Sequence, residues 1–440
     1  MAESISSVVG VAASDAEKSA SGSASWSIFL LALAMMLSVA DRGILSILLV
    51  PIQNDLKVSD TAMGALTGIS FTLVYATVAL PMARLADRGT RRSIVAGALA
   101  VWSLMTAACG VAANYAILLL ARMGVAAGEA SALPSTMSMV GDLYPPKSRG
   151  RALAVIQVGS AFGTGLGAIV VGQLAALYSW RVAFWALSLP GLLLALIIFL
   201  TVREPVRGLH EGGDRPEAIG TWKDSLAYLF SIRSFRALLV GQVFVGLSFY
   251  IFLSWIPTYL IRVRHMPVEQ MSVWYGLHVI PAVAGILIGG YLSDRVTARR
   301  GARWRPILLS GMILCGVPVF FTLLFSPDLR VVLVMLFLYA FVVAPVSALS
   351  PATNLDVVHA RARGTVTAVT GFASSVIGAG LGPMLLGALN DVAKQSYGDQ
   401  AMRYTLLVLP VCMIATAVCF LIASRSTDRD AAAVVQGGTA

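Results

Sequence analysis

The chain has 440 residues, of which 58% are hydrophobic and 12% charged, with a mean hydropathy of +0.81. A soluble domain carries roughly 25% charged residues, so a chain of this length has too little polar surface for a globule in water, and an integral membrane protein is expected. The excess of 32 basic over 22 acidic residues cannot be read as a nucleic-acid signal before loop position is considered, and the four cysteines, Cys109, Cys315, Cys412 and Cys419, all lie in apolar runs, so neither a disulfide framework nor a CxxC metal site is expected.

In chain order, the first 25 residues are polar and rich in Ser and Ala, and they lack the basic start and small-residue cleavage site of a signal peptide. Residues 1–25 are therefore expected to form a disordered cytoplasmic tail, and the first apolar run to be a retained span. A bilayer core needs about 20 apolar residues per helix. Twelve stretches qualify: 27–50, 62–83, 93–112, 115–140, 152–177, 181–201, 237–261, 271–292, 306–325, 331–354, 365–390 and 404–423. The longest loop, about 203–236, divides them six and six. Its mixture of Glu, Asp, Arg, Gly and Pro reads as a solvated linker with a short surface helix in Trp222–Phe235. The expected organisation is a six-helix bundle over 26–203, a cytoplasmic linker over 204–236, a second six-helix bundle over 237–424 and a cytoplasmic tail over 425–440. With the N-terminus inside, 23 Lys and Arg fall on the inner side and seven on the outer, while Arg42 and Arg122 lie within spans. That bias puts both termini on the cytoplasmic side of the cell (inner) membrane. It also accounts for the basic charge, so no nucleic-acid partner is expected.

The two halves repeat. After the second span the chain reads Ala83-Arg-Leu-Ala-Asp87-Arg88, and after the eighth Gly290-Tyr-Leu-Ser-Asp294-Arg295, at an offset of 207 residues. Asp142…Arg149-Gly150 after the fourth span is answered by Asp356…Arg363-Gly364 after the tenth, at an offset of 214. Gly163-Thr-Gly-Leu-Gly167 and Gly172 are answered by Gly378-Ala-Gly-Leu-Gly382 and Gly387, at an offset of 215. Three landmarks in order are not a chance match. Parallel six-span halves suit a rocker with a substrate site between similar bundles near the midplane.

The Asp87-Arg88 and Asp294-Arg295 loops resemble the signature of the major facilitator superfamily, although Ala83 and Thr90 stand where that motif usually has Gly. Asp41-Arg42 in span one, with Arg122, Gly128-Glu129-Ala130-Ser131 and Gly141-Asp142-Leu143 in span four, is most similar to the Spinster branch of lipid transporters. Organic-anion symporters also carry an Asp-Arg in span one. The resemblance implies an all-α membrane fold of two pseudo-symmetric six-helix bundles, with acidic residues of spans one and four as proton carriers and the span-four Arg as their counter-charge. It also implies a cytoplasmic latch of Asp87, Arg88 and Asp142 with Asp294, Arg295 and Asp356, against the plainer reading that these are solvated loop charges.

Four full charges lie inside the spans: Asp41, Arg42, Arg122 and Glu129. Each costs about 2.5–3.5 kcal/mol near the bilayer centre, which marks them as functional candidates rather than a static ion pair. Asp41 lies about 21 Å from the inner end of span one, Arg122 about 10 Å from the outer end of span four, and Glu129 two turns further along the same face. Neighbours such as Asp41 and Arg42 cannot pair with each other on a helix, so Asp41 is expected opposite Arg122, while Arg42 could snorkel to the outer interface. These residues are the proton-coupling set (Asp41, Glu129, Arg122). With Tyr250 and Trp255 of the aromatic seventh span, Arg42, Arg122 and Glu129 form the expected substrate-binding set.

Asp60, after Ser59, reads as a helix-capping charge. His278 reads as a hydrogen-bonded interior residue, and Gly159, Gly163 and Gly167 read as a close-packing face. One polar wall and one apolar wall suit an amphiphile such as a lysophospholipid or sphingoid lipid better than a sugar. A hydrophobic drug or an organic anion is the alternative. A channel would need rings of polar residues, and a lipid enzyme a clustered nucleophile or metal set. The four histidines, His210, His265, His278 and His359, are scattered, and no Walker motif is present. No cofactor, metal or enzymatic activity is expected. The expected partners are the substrate, protons and the bilayer, with the protein a monomer.

Overall fold

The computed structural model describes residues 24–207 and 222–434, apart from the side chains of Ala83, Asp87, Leu133, Pro146 and Ala360. The expected tail 1–25 falls almost wholly outside the described residues, as does the centre of the expected linker. Every regular element among the described residues is helical. Ten helices are long and apolar enough to cross a membrane singly: α1 Ala24–Leu56, α2 Asp60–Ala86, α3 Arg91–Gly110, α4 Tyr115–Leu143, α5 Lys147–Leu177, α6 Trp180–Thr201, α7 Arg233–Arg262, α8 Val268–Arg300, α9 Trp304–Phe325 and α10 Leu329–Asp356. An eleventh run, Arg363–Val434, has 72 residues. At 1.5 Å per residue a straight helix of that length would be about 108 Å long, more than three times a bilayer core. The run is broken at Gly398, where φ is +54°, by a 3₁₀ turn over Gly398–Gln400. It therefore holds α11 (363–397) and α12 (408–434), consistent with the twelve expected spans. A short helix, Trp222–Ser231, precedes α7.

Local chemistry sets the helix starts. Ser59, Asn114, Ser179 and Asp328 each accept a backbone N–H of the following turn through the side chain, the arrangement that satisfies otherwise orphaned donors. α12 runs past the expected end at 423. Residues 425–434, assigned from sequence to a tail, continue the helix, with Ala423 and Thr427 buried. The apolar window ends at Ala423, but nothing in the following residues breaks a helix.

The chain forms two compact units. The first gathers residues up to 44, 74–167 and 179–213, and the second residues 45–73, 168–178 and those from 214 onward. The boundary thus differs from the six-and-six division expected from the repeat, because 45–73 and 168–178 fall in the second unit. In the first unit, α5 crosses α1 on a glycine face. A Cβ added at Gly159 would lie 2.6 Å from the Ala32 carbonyl oxygen, one at Gly163 would strike the Met36 carbonyl, and one at Gly167 would lie 2.7 Å from the Ala40 Cβ. Beside this crossing Ile28, Ala32, Met35, Val140, Ala152 and Ile156 form a core cluster.

In the second unit α2 and α11 approach through Gly64, Gly68 and Gly387. A Cβ at Gly68 would lie 2.5 Å from the Gly380 carbonyl oxygen, and one at Gly64 or Gly387 would strike the Pro383 or Asp60 carbonyl. This packing is what attaches 45–73 to the second unit, and the period of the glycines, not hydropathy, carries it. α11 is not α-helical throughout: Ser374–Leu381 is a π-helical segment.

The glycine contacts give a paired expectation. Gly163→Ala, against backbone, should lower the thermal midpoint of the purified protein, whereas Gly97→Ala, with open space around its Cβ position, should be neutral or stabilising by up to about 1 kcal/mol. Equal midpoints for the two variants would remove the close α1–α5 crossing as a stabilising feature.

Candidate functional site

The four intramembrane charges meet inside the first unit as two ion pairs. Arg122 Nη1 of α4 donates to Asp41 Oδ2 of α1 at 3.2 Å and to the Asp41 carbonyl oxygen at 3.4 Å. The Thr106 hydroxyl of α3 donates to Asp41 Oδ1 at 3.0 Å. Arg42 Nε donates to Glu129 Oε2 at 2.5 Å, and the Ser38 hydroxyl, one turn earlier on α1, reaches the same oxygen at 3.1 Å. The expected pairing of Asp41 with Arg122 is present. Arg42, for which snorkelling was the plainer expectation, is instead bound to Glu129. The pairs differ in access: the Asp41, Arg122 and Glu129 side chains are at most 4% exposed, but that of Arg42 is 41% exposed and lies over the Tyr75 ring at 5.1 Å. Glu129 Oε1 is buried with no hydrogen-bond partner among the described residues. Five residues on, Pro134 lacks an amide proton and so leaves the Ala130 carbonyl without its helical donor.

The other expected substrate residues lie in the second unit. Tyr250 is half-buried and edge-on to Phe249, with ring centroids 5.2 Å apart. Trp255 is fully buried, with its indole N–H donating to the Pro383 carbonyl at 3.0 Å, so no face of its ring is open to a ligand in this conformation.

The residues expected to form a latch are organised by two arginines not among the expected site residues, Arg91 and Arg305. The Asp87 side chain lies outside the described residues, and Arg88 is exposed. In the first unit Asp142 pairs with Arg91, which is 1% exposed and also binds Glu204 Oε1 at 2.9 Å. In the second unit Arg305 binds Asp356 at 2.5 Å and the exposed Asp294 at 3.1 Å, while Arg295 donates to the Tyr291 hydroxyl at 2.6 Å. The signal for Arg91 and Arg305 was present in the sequence: they stand 214 residues apart, the same offset as Asp142 and Asp356.

Asp60 is not simply a capping charge. Ser59 caps the helix, and Asp391 from α11 accepts the Asp60 and Thr61 amides at 3.0 and 2.8 Å. Asp60 itself is buried. It takes Arg262 at 2.9 Å, Lys394 at 2.9 Å, Gln53 at 2.5 Å and the Asn390 amide. Gln53 is only seven residues away, but Arg262, Asn390 and Lys394 come from distant spans, so no local window could reveal the cluster. His278 is buried, with Nδ1 at the Tyr275 carbonyl and its ring against Tyr275 and Phe252, as an interior residue should be. Among the described residues no group of His, Cys, Asp or Glu could hold a metal, and the four cysteines are free.

Charges buried and paired inside helices of membrane-spanning length mark a functional site. The Major Facilitator Superfamily model matches residues 31–383, and the chain belongs to that family. A bacterial homolog of the human lysosomal transporter Spinster, solved in an inward-facing and occupied conformation, is similar with a TM-score of 0.83 and 26% identity, over 92% of this chain and 98% of that one. Among relatives, an MFS-type efflux pump of Mycolicibacterium smegmatis is 32% identical over 91% of this chain and 92% of its own, and a hexuronate transporter of Bacillus subtilis 28% over 83% and 87%. The sphingosine-1-phosphate transporter SPNS2 of Danio rerio is 26% identical over 92% of this chain and 85% of its own.

The burial difference between ion pairs can be measured. Asp142→Asn takes one of two carboxylates from the buried Arg91, which keeps Glu204, and should cost about 2 kcal/mol. Asp428→Asn, which removes a half-exposed partner of Arg303 at 3.9 Å, should cost under about 1 kcal/mol. Thermal midpoints of the two variants report the contrast.

Proposed function

We propose that this protein is a proton-coupled secondary transporter that moves an amphiphilic, lipid-like substrate, a lysophospholipid or sphingoid lipid, by rocker-switch alternating access. The observation that carries the reading is the Glu129–Arg42 pair: a fully buried carboxylate with one unpartnered oxygen, bound to an arginine that is still accessible. In the neutral arrangement all four charges are internally compensated. A proton on Glu129 would cancel its hold on Arg42 and release a guanidinium for an anionic head group, because charge-assisted hydrogen bonds are about twice as strong as neutral ones. Asp41 and Arg122 form the second member of the coupling set, held more rigidly by Thr106. The similarity to a Spinster homolog and to a sphingosine-1-phosphate transporter supports the lipid. In this reading both termini are cytoplasmic in the cell membrane, and Asp87, Arg88, Asp142, Asp294, Arg295 and Asp356 act as the cytoplasmic latch. A second reading, export of a hydrophobic drug or carriage of an organic anion, has support in the similarity to an efflux pump and to a hexuronate transporter.

Uptake and efflux in proteoliposomes, over a panel of lysolipids, sphingoid lipids, sugar acids and hydrophobic cations with and without a proton gradient, separates the two. Glu129→Gln keeps the shape and removes the titrating group, so it should abolish gradient-driven transport while ligand binding remains measurable. Transport at the unmodified rate would exclude Glu129 as the coupling site. Arg122→Ala should shift the pH profile of conformational change alkaline, since Asp41 then lacks its counter-charge, and Asp41→Asn should flatten that profile. Both profiles can be followed by spin-label distances, and unmodified profiles in folded variants would overturn the coupling.

A further inference from the structure

A basic pocket at the start of α7 and the end of α12 is unused by the transport reading. Arg233, Arg425 and Arg429, with Ile422 and Ser426, line a cavity of about 290 Å³ in the second unit. Arg233 opens α7, while Arg425 and Arg429 stand one turn apart on α12, and all three side chains are exposed. The carboxylate beside them is already engaged: Asp430 Oδ2 accepts the Ser234 amide at 3.0 Å and hydroxyl at 2.7 Å, and Oδ1 accepts Arg429 at 3.3 Å. Three guanidiniums against one carboxylate leave the pocket positive.

What adjoins the pocket is exposed apolar surface. On α12 Val411, Ile414, Val418 and Ile422 are 65%, 46%, 49% and 51% exposed, and Arg425 and Arg429 continue the same series. At 3.6 residues per turn the six positions fall within an arc of about 80°, so an apolar stripe runs straight into the arginines. On α7 Val240, 49% exposed, lies two turns from Arg233 on the same face.

We propose that this pocket binds the phosphate of an anionic membrane phospholipid, with its acyl chain along the Val411–Ile422 stripe. Guanidinium forks match phosphate oxygens bidentately, and basic pockets between the ends of membrane helices suit anionic lipid head groups. A free phosphate would meet the same arginines but make no use of the stripe. The site is separate from the Glu129–Arg42 pair, so the inference stands or falls independently of the transport reading.

The test uses the full chain in nanodiscs of phosphatidylcholine with and without phosphatidylglycerol. Lipid retained after delipidation is counted by native mass spectrometry. Wild type should keep phosphatidylglycerol over phosphatidylcholine, and a variant carrying Arg233→Gln, Arg425→Gln and Arg429→Gln should lose about tenfold or more of that preference. Because three changes risk disturbing the α7–α12 junction, Arg425→Gln alone is measured beside it and should lose part of the preference, while Arg299→Gln, an exposed arginine on α8, should lose none. Equal retention of the two lipids by wild type, or an unchanged preference in Arg425→Gln and the triple variant, overturns the site. In phosphatidylcholine discs inorganic phosphate should raise the thermal midpoint far less than phosphatidylglycerol does. An equal rise would make the pocket a free-anion site and overturn the lipid.

Discussion

Four charges within the bilayer-spanning helices must be satisfied by one another, and the arrangement of the first unit follows from how this is done. Asp41 and Arg42 are consecutive, so they point about 100° apart and rise only about 1.5 Å along α1. Their partners on α4 are seven residues apart, on one face but separated by about 10 Å. The mismatch is taken up by side-chain length: both pairs join an arginine, with a long stem, to a short acid. Arg122 reaches a carboxylate oxygen and the carbonyl oxygen of Asp41 through the single nitrogen Nη1, and Arg42 holds Glu129 through Nε. Removing Asp41 strands Arg122 in a low-dielectric site, a loss of about 3–5 kcal/mol for a buried pair, whereas Arg42 without Glu129 stays open to solvent.

The same economy of pairing recurs at the ends of the spans. Arg91 with Asp142 and Arg305 with Asp356 are each separated by 51 residues, one pair in each repeat. Their surroundings have diverged. Arg91 is sealed and draws in Glu204, while Arg305 is also bound to a largely exposed Asp294.

Much of this was legible in the sequence, for physical reasons. Hydropathy over windows of about 20 residues located every span because a bilayer core imposes that length, and the isolated charges stood out because they are costly there. Asp41 and Arg122 could be matched because each was an unpartnered charge of opposite sign at similar depth. Arg42 with Glu129 was missed because Arg42 sits near enough to the span end for snorkelling to look sufficient. The Asp60 cluster was illegible for a different reason: its partners, Gln53, Arg262, Asn390 and Lys394, come from three helices, and Arg262 and Lys394 each looked like a loop charge in its own window. The division into two units also departed from the repeat, since Gly64, Gly68 and Gly387 bind α2 to α11 through backbone contact that hydropathy does not register.

The π-helical segment of α11 bears on how the two repeats are related. Asp142 and Asp356, and the Ala-Val pairs that follow at 154–155 and 368–369, are offset by 214 residues, whereas Gly163 and Gly378, Gly167 and Gly382, and Gly172 and Gly387 are offset by 215. The second copy is therefore one residue longer than the first between 369 and 378, within or beside Ser374–Leu381. A π turn closes its hydrogen bond one residue later than an α turn, so it can take in the extra residue without turning everything downstream by 100°. In a plain α-helix the extra residue would swing Pro383 and Gly387 off the α2 crossing. The wide turn therefore falls where the two copies differ in length by one residue, and it keeps the second copy's glycine face in the same phase as the first.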